Sequence, residues 1–517
     1  MRLYEDPATQ PTMWVALESL KQKFRQLAEY GLLQPKQLEC ICGLYSEILE
    51  ISSLCQGKPN IAALPFNNEM RLRWNIFQRL YTASRIANHS KKARLLQSAL
   101  TDARALHRQN PARWRGQLEK TTLALARAYT TWGVFEQEND YSKMLYSQAL
   151  HTLDTLGVFK NNEQERLKAL ADNHFKLGNY FLAADQITEA TRQYNLGLEA
   201  TDKLLRLAPA DSLPVFRNDI QASLLTQLGS AQLLEGNAPA ARASFQQAYD
   251  ALTYGLNSFY FGHAALLEGK EDEAISQYRG VYNEVQLGLV LFDISRLAVR
   301  FPERRARLEL FMPRLRDTIL RQHPEMSPDA VDYWDASYHA ADAKAKKQWA
   351  AALEWSIKTM AAAQKLANQP GASIDWKTRY LDMTLSVAFY YLHLAKTDPG
   401  VFDKSIQQSE QAENYAAQEH PYYAYRNWFK TNLAHAYLLR NRPGDRRAAV
   451  DIYHDFLKTS SYDGVDNWEL LQKDFRDVHR AGLEWPGLKE VIEEIKPADI
   501  ELSPKEWREM GILPPGN

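Results

Sequence analysis

The pattern of apolar and polar positions along the chain is helical almost throughout. Apolar residues recur every three to four positions, and the alternating Val, Ile and Thr runs that are typical of strands are missing. Short clusters of Gly, Pro and Asn interrupt this rhythm, among them "QGKPN", "RQNPARWRG", "NQPGAS", "TDPGV" and "RNRPGD". We therefore expect an all-α chain of antiparallel helix pairs joined by short connections.

One stretch of this pattern is written twice, as "LLEGNAPAARASF" at 233–245 and "LLEGKEDEAISQY" at 266–278. A recurrence at a fixed spacing indicates a repeat architecture, in which each copy forms one structural unit. In each copy, Leu-Leu predicts the end of a first helix, Gly236 or Gly269 predicts the turn, and Ala with an aromatic residue predicts the second helix.

A third copy lies upstream in "LGNYFLAADQITEATRQYNLGLEA". Gly and Ala at the shared positions allow paired helices to approach closely, and the aromatic residues fill the space between them. The shared residues are Leu177, Gly178, Ala190 and Tyr194 in this upstream copy, Leu228, Gly229, Ala241 and Phe245 in the copy that includes 233–245, and Phe261, Gly262, Ala274 and Tyr278 in the copy that includes 266–278.

These residues resemble the pattern of the tetratricopeptide repeat (TPR) family, most clearly over 168–282. Weaker copies in "LALARAYTTWG" and "NLAHAYLLRNRPGDRRAAVDIYHDFL" extend the resemblance over roughly 119–460. The resemblance implies a right-handed superhelical α-solenoid, with a concave groove lined by the first helix of each pair, that binds a protein or peptide.

The repeats divide the chain into four expected regions. Residues 1–118 form an irregular helical N-terminal region, and residues 119–290 form the TPR-like repeats. Residues 291–460 form degenerate helical repeats. Residues 461–517 form an acidic helical cap over the open end of the solenoid, with a docking role as the alternative.

The resemblance also implies which positions face the groove. They lie on the first helix of each unit, where a partner's helix or extended segment would bind. The alternative is that they pack on the next helix or are merely solvated. The predicted groove residues are Phe175, Asn179, Leu182, Thr226, Ser230, Leu233, Phe259, His263, Leu266 and His435.

Charge is uneven along the chain, although the net charge is only −1. Residues 71–127 carry a net charge of +11 and residues 463–509 a net charge of −6. Four alternatives remain open for the basic region: solvated helix faces, an acidic protein partner, nucleic acid, or contact with the acidic end of the same or another chain. The predicted basic patch comprises Arg71, Arg73, Arg79, Arg85, Lys91, Lys92, Arg94, Arg104, Arg108, Arg113 and Arg115.

Sequence motifs of catalysis are missing. The chain contains no P-loop, no G-x-G-x-x-G before a helix, no H-E-x-x-H and no G-x-S-x-G. The only cysteines, Cys40, Cys42 and Cys55, lie in one apolar run, so we interpret them as buried structural residues rather than half of a metal site. We expect no enzyme activity, no cofactor and no bound metal.

These observations predict a non-catalytic scaffold or adaptor that binds a protein or peptide. The alternatives are a regulatory or sensor subunit of a bacterial signalling or defence complex, and an RNA-binding protein that uses residues 71–127. The N-terminus lacks an apolar signal segment, and the sequence has no run of 18 apolar residues, so we expect a cytoplasmic protein without membrane contact. The oligomeric state and the partner's identity are not predicted.

Overall fold

The computed structural model describes residues 68–512, apart from 137–139, 158, 210, 253–258, 396–397, 399, 422, 424–425, 460–465, 481, 485, 499 and 503. Contacts divide the chain into residues 1–75 and 76–517, and the tertiary contacts reported below belong to the second unit. The three cysteines and the side chain of Arg71 lie outside the described residues.

Every regular element of the described ranges is a helix, which confirms the all-α class. The helices up to residue 251 are α1 (Asn68–Arg85), α2 (His89–Gln109), α3 (Pro111–Phe135), α4 (Asp140–Asp154), α5 (Glu163–Ala183), α6 (Ile187–Leu207), α7 (Leu213–Phe216), a π-helical turn (Arg217–Gln221), α8 (Ala222–Leu234) and α9 (Ala238–Ala251).

The second half continues in the same way. Its helices are α10 (Phe259–Leu267), α11 (Glu271–Tyr278), α12 (Glu284–Arg300), a 3₁₀ turn (Pro302–Arg304), α13 (Arg305–Gln322), α14 (Pro328–Ala345), α15 (Trp349–Ala367), α16 (Ile374–Leu394), α17 (Val401–Glu419), α18 (Arg426–Arg440), α19 (Asp445–Lys458), α20 (Asn467–Arg480), α21 (Leu488–Ile495) and α22 (Pro504–Glu509).

The helices pack as consecutive pairs, each with a first and a second helix. The pairs are α3/α4, α5/α6, α8/α9, α10/α11, α14/α15, α16/α17 and α18/α19. The predicted boundaries at 118/119 and 290/291 fall inside helices α3 and α12, so the chain continues through them without a break.

The turn inside a pair has a recurring backbone conformation. A residue with positive φ follows the first helix, and in four pairs the next N–H donates to the carbonyl oxygen five residues earlier, at 2.8–2.9 Å. This bond satisfies a carbonyl group that the helix end would otherwise leave open. The four positive-φ residues are Asp185, Gly236, Gly269 and Lys347.

Close packing of a first-helix glycine under a second-helix aromatic ring joins four of the pairs. At each glycine an added Cβ would come within 3.0 Å of the ring, so no larger residue fits there without movement. The pairs are Gly133 with Tyr146, Gly178 with Tyr194, Gly229 with Phe245, and Gly262 with Tyr278. The Gly and aromatic positions of the sequence repeat therefore face each other inside each unit.

The C-terminal helices pack on the last repeat pair rather than continuing the series. A buried cluster joins Tyr453 of α19, Trp468 and Phe475 of α20, and Leu488 of α21. Phe135, at the end of α3, packs against the same cluster although it is more than 300 residues earlier in the chain. Helix α20 therefore contacts both the last pair and the early helices of the second unit.

Candidate functional site

One open groove runs across the first helices α3, α5 and α8 and the π-helical turn before α8. It has a volume of about 530 Å³. Half-buried Phe175 lies in it, beside the exposed side chains of Arg127, Lys168 and Asp219. A π-helical turn widens a helix locally and is frequent at functional sites. We call this surface the first-helix groove.

Several predicted groove residues have a partner inside their own helix pair. The Nδ1 atoms of His263 and His435 lie 2.8 Å and 2.6 Å from the hydroxyl oxygens of Tyr278 and Tyr453. In an earlier pair the Tyr194 hydroxyl donates to Asn179 Oδ1 at 2.8 Å. These side chains hold the aromatic ring of the second helix in place, because a buried hydroxyl needs a hydrogen-bond partner.

The ten predicted groove residues differ in how far they are exposed to solvent. Phe175, Asn179 and Ser230 are half-buried. Partner binding at all ten positions stays a prediction, and seven of the ten side chains are buried. The buried residues are Leu182, Thr226, Leu233, Phe259, His263, Leu266 and His435.

Helix α20 joins the end of the chain to helix α2. Its residue Glu469 is 1% exposed and accepts hydrogen bonds from the backbone N–H groups of His89, at 2.6 Å, and Ser90, at 3.1 Å. The first N–H groups of a helix have no partner within it, and they attract a carboxyl group. Burial raises the pKa of Glu469 to about 8, against the effect of these N–H groups and of the nearby Arg476.

A buried ion pair joins the same helix to the end of α3. Arg476 Nη2 lies 2.7 Å from Glu136 Oε1, and the two side chains are 6% and 0% exposed. Trp132 Nε1 donates to the same oxygen at 3.1 Å. The guanidinium groups of Arg476 and Arg480 both lie over the ring of Tyr141, at 5.4 Å and 5.2 Å from its centroid. We call these contacts of α20 with α2, α3 and α4 the α20 seam.

A cavity of about 480 Å³ lies beside the seam. It is lined by residues of α3, α4, α5, α14, α15, α16 and α20, which are far apart in the sequence. Lys347 Nζ, between α14 and α15, lies 2.5 Å from Asp140 Oδ2 at the start of α4. We call this space the α20 cavity.

Aromatic residues and a histidine form one wall of the α20 cavity. The His393 ring stacks on Trp349, with centroids 4.0 Å apart and an angle of 9°, and meets Phe389 edge-on at 4.6 Å. His393 is 4% exposed, and neither ring nitrogen has a hydrogen-bond partner among the described residues. Burial lowers the pKa of His393 to about 4, so the ring is neutral at pH 7.

The predicted basic patch is partly neutralised within the chain. Arg79 pairs with Asp102, Arg94 lies 3.5 Å from Glu506, and Arg115 lies 3.0 Å from the buried Glu119. The remaining members from Arg73 onward are half-buried or exposed: Arg73, Arg85, Lys91, Lys92, Arg104, Arg108 and Arg113. The acidic end thus contacts the basic region in the same chain through Glu506, which is the intramolecular alternative of the sequence analysis. Binding of an acidic partner or nucleic acid stays a prediction.

Among the described residues, no group of three or more His, Cys, Asp or Glu side chains is arranged to hold a metal ion. No helix in that part of the chain is long and apolar enough to cross a bilayer.

Sequence reasoning missed the residues that form the α20 cavity, apart from Asn179, a predicted groove residue that lines it. Trp349, His393 and Lys344 lie in a region whose sequence pattern predicts only degenerate repeats, and no local motif marks these three residues. Their common site depends on contacts between elements up to several hundred residues apart, and those contacts leave no periodic signal. The one usable signal was the opposite charge of the basic region and the acidic end.

No protein-family model and no curated protein matches the sequence of the chain.

Proposed function

We propose that the chain is a non-catalytic, TPR-like scaffold or adaptor that binds a protein or peptide partner in the first-helix groove. The observation that carries the proposal is the groove itself, in which three consecutive first helices expose one continuous surface around half-buried Phe175. The recurring turns and the glycine–aromatic packing support the assignment to a TPR-like superhelix, which is part of the proposal.

The chemistry of the groove suits a peptide segment with one apolar anchor. Phe175 offers an aromatic surface, and a partially desolvated aromatic contact is a frequent binding hot spot. The rim is mixed in charge, which favours a partner carrying both signs. The charged lining residues are Arg127 and Lys168, against Glu165, Asp172 and Asp219.

The groove remains accessible although helix α20 covers other first-helix surfaces. None of its lining residues belongs to α20, and Arg127 and Glu165 keep 58% and 53% of their side chains exposed. Their mutual ion pair bridges α3 and α5 at the surface, where such a pair contributes about 1 kcal/mol or less. A partner can therefore replace it at low cost.

A photo-crosslinking experiment tests the proposal. A photoreactive residue in place of Phe175 should capture one defined partner in the native cell. The charge reversal Lys168→Glu should remove that product, because Lys168 lines the groove on α5. Lys203→Glu is the matched control, since Lys203 is an exposed lysine on the second helix α6. Equal loss with both variants, or no defined product at Phe175, would contradict the proposal.

A further inference from the structure

We propose that the α20 cavity binds a small organic phosphate of about nucleotide size. This inference is independent of the proposed peptide binding, because the cavity and the first-helix groove share no lining residue. It assigns a ligand to a site formed by α20 and the early helices together.

The wall of the α20 cavity contains a buried histidine. His393 is 4% exposed and lies in the cavity wall, with both ring nitrogens lacking a hydrogen-bond partner among the described residues. Buried polar atoms are nearly always hydrogen-bonded, and leaving one without a partner costs free energy. Stacking on Trp349 fixes the ring plane. The neutral ring can then donate one hydrogen bond to a ligand oxygen, within a rigid frame.

The lining of the α20 cavity carries a surplus of positive charge. It has five cationic and three anionic side chains. Within it Lys347 pairs with Asp140, and Lys473 and Arg480 both pair with Asp477, while Glu136 pairs with buried Arg476. A phosphate monoester carries between one and two negative charges near neutral pH, so it matches this excess better than a single carboxylate does. The cations are Lys176, Lys344, Lys347, Lys473 and Arg480, and the anions are Glu136, Asp140 and Asp477.

The size of the cavity and its apolar residues suit an organic ligand. A volume of about 480 Å³ lies in the range of small-molecule sites. Trp349, Phe389 and Val134 give the cavity apolar surface for the organic portion of the ligand, and the lysines of the same lining would hold the phosphate as point charges.

Binding would also affect the α20 seam. Helix α20 supplies Lys473, Asp477 and Arg480, while Lys344 and Lys347 come from the α14/α15 pair. A ligand that contacts both groups binds only when α20 is docked, and it therefore stabilises the docked state. The site consequently links a soluble ligand to the docking of helix α20.

Calorimetric titration of the full chain at fixed ionic strength tests the inference, with AMP, inorganic pyrophosphate and citrate as probes. We expect saturable one-to-one binding of AMP or pyrophosphate and a raised melting temperature, with citrate binding more weakly. Binding of pyrophosphate without binding of AMP would support the phosphate site and would indicate that the organic portion of the ligand is a group other than adenosine. Binding of neither phosphate up to millimolar concentration, or citrate binding as tight as phosphate, would overturn the proposal.

Three variants locate the binding. His393→Phe keeps a ring on Trp349 and removes the nitrogens, and Lys344→Gln removes one charge, so each should weaken binding about tenfold. Lys346→Gln is the control, because Lys346 pairs with Asp342 at 2.8 Å and lines a different pocket. Unchanged affinity in both His393→Phe and Lys344→Gln, with each variant folded by circular dichroism, would place the ligand elsewhere and refute the site.

Discussion

Replacing Arg476 with Met should release helix α20 from the end of α3. The Arg476 and Glu136 side chains are 6% and 0% exposed, and their charged atoms lie 2.7 Å apart. Removing one partner of a buried pair leaves the other charge without compensation and costs about 3–5 kcal/mol. Met has a similar length and volume, so the lost stability is mainly electrostatic.

The effect should be local, and hydrogen exchange measures local opening directly. Long helical-repeat chains lose two-state behaviour, so a single unfolding free energy would average over the molecule. A local loss of about 3–5 kcal/mol raises the opening equilibrium of residues 467–480 by more than about 100-fold, since each 1.36 kcal/mol is a factor of ten. Peptides from this segment should exchange correspondingly faster, as measured by mass spectrometry.

Two further variants separate the ion pair from nonspecific damage. Arg447→Met is the control, because Arg447 of α19 is 83% exposed and lies outside the α20 seam, with Asp451 of the same helix as its ion-pair partner. Glu136→Gln combined with Arg476→Met should restore much of the protection, since the buried charge is then gone. Exchange of 467–480 that is the same in Arg476→Met and the wild type would refute the role assigned to this pair.

Three other substitutions test the packing and the buried histidines. Gly178→Ala should lower the free energy of unfolding by about 1–3 kcal/mol through overpacking, because its Cβ would overlap the Tyr194 ring. A lower urea midpoint would detect this loss. Tyr453→Phe should cost a similar amount, about 1–3 kcal/mol, because it removes the hydroxyl that lies 2.6 Å from buried His435, and calorimetric melting should detect the loss. His393 has a folded pKa of about 4, below the ordinary 6.5, so its contribution is present above pH 6.5 and lost as the pH falls toward 4. That loss is at most about 3 kcal/mol, and the urea midpoint of His393→Phe should fall less than that of the wild type over this pH range.

Local sequence patterns anticipated the repeat units well. The turns at Gly236 and Gly269 have the expected positive φ, and Gly178, Gly229 and Gly262 lie under the aromatic rings of the same repeat. These features depend on residues within about 20 positions of one another, and a period in the sequence records them. The same turn occurs at Asp185 and Lys347, where no glycine marks it in the sequence.

The sequence predicted the groove residues less well than the repeat units, because the prediction depended only on each residue's position in the repeat. Residue type and position do not reveal whether a later helix covers a surface, and His435, which aligns with the groove, is buried against Tyr453 and Phe475. The seam of α20 with α2 and α3 joins residues about 340–380 positions apart. Only the opposite charges of the basic region and the acidic end suggested that they meet, and those charges do not predict which residues pair.

Helices that are far apart in the sequence assemble around the α20 cavity, and zero-length carbodiimide crosslinking measures their proximity. Lys347 Nζ and Asp140 Oδ2 lie 2.5 Å apart on exposed side chains, 207 residues apart in the sequence. We predict an isopeptide bond between them in the monomer fraction, identified by mass spectrometry and abolished by Asp140→Asn. The pair Lys346–Asp342, at 2.8 Å within one helix end, is the internal control for reactivity. Crosslinking of Lys346 to Asp342 without any product between Lys347 and Asp140 would contradict the assembly of these helices around the α20 cavity.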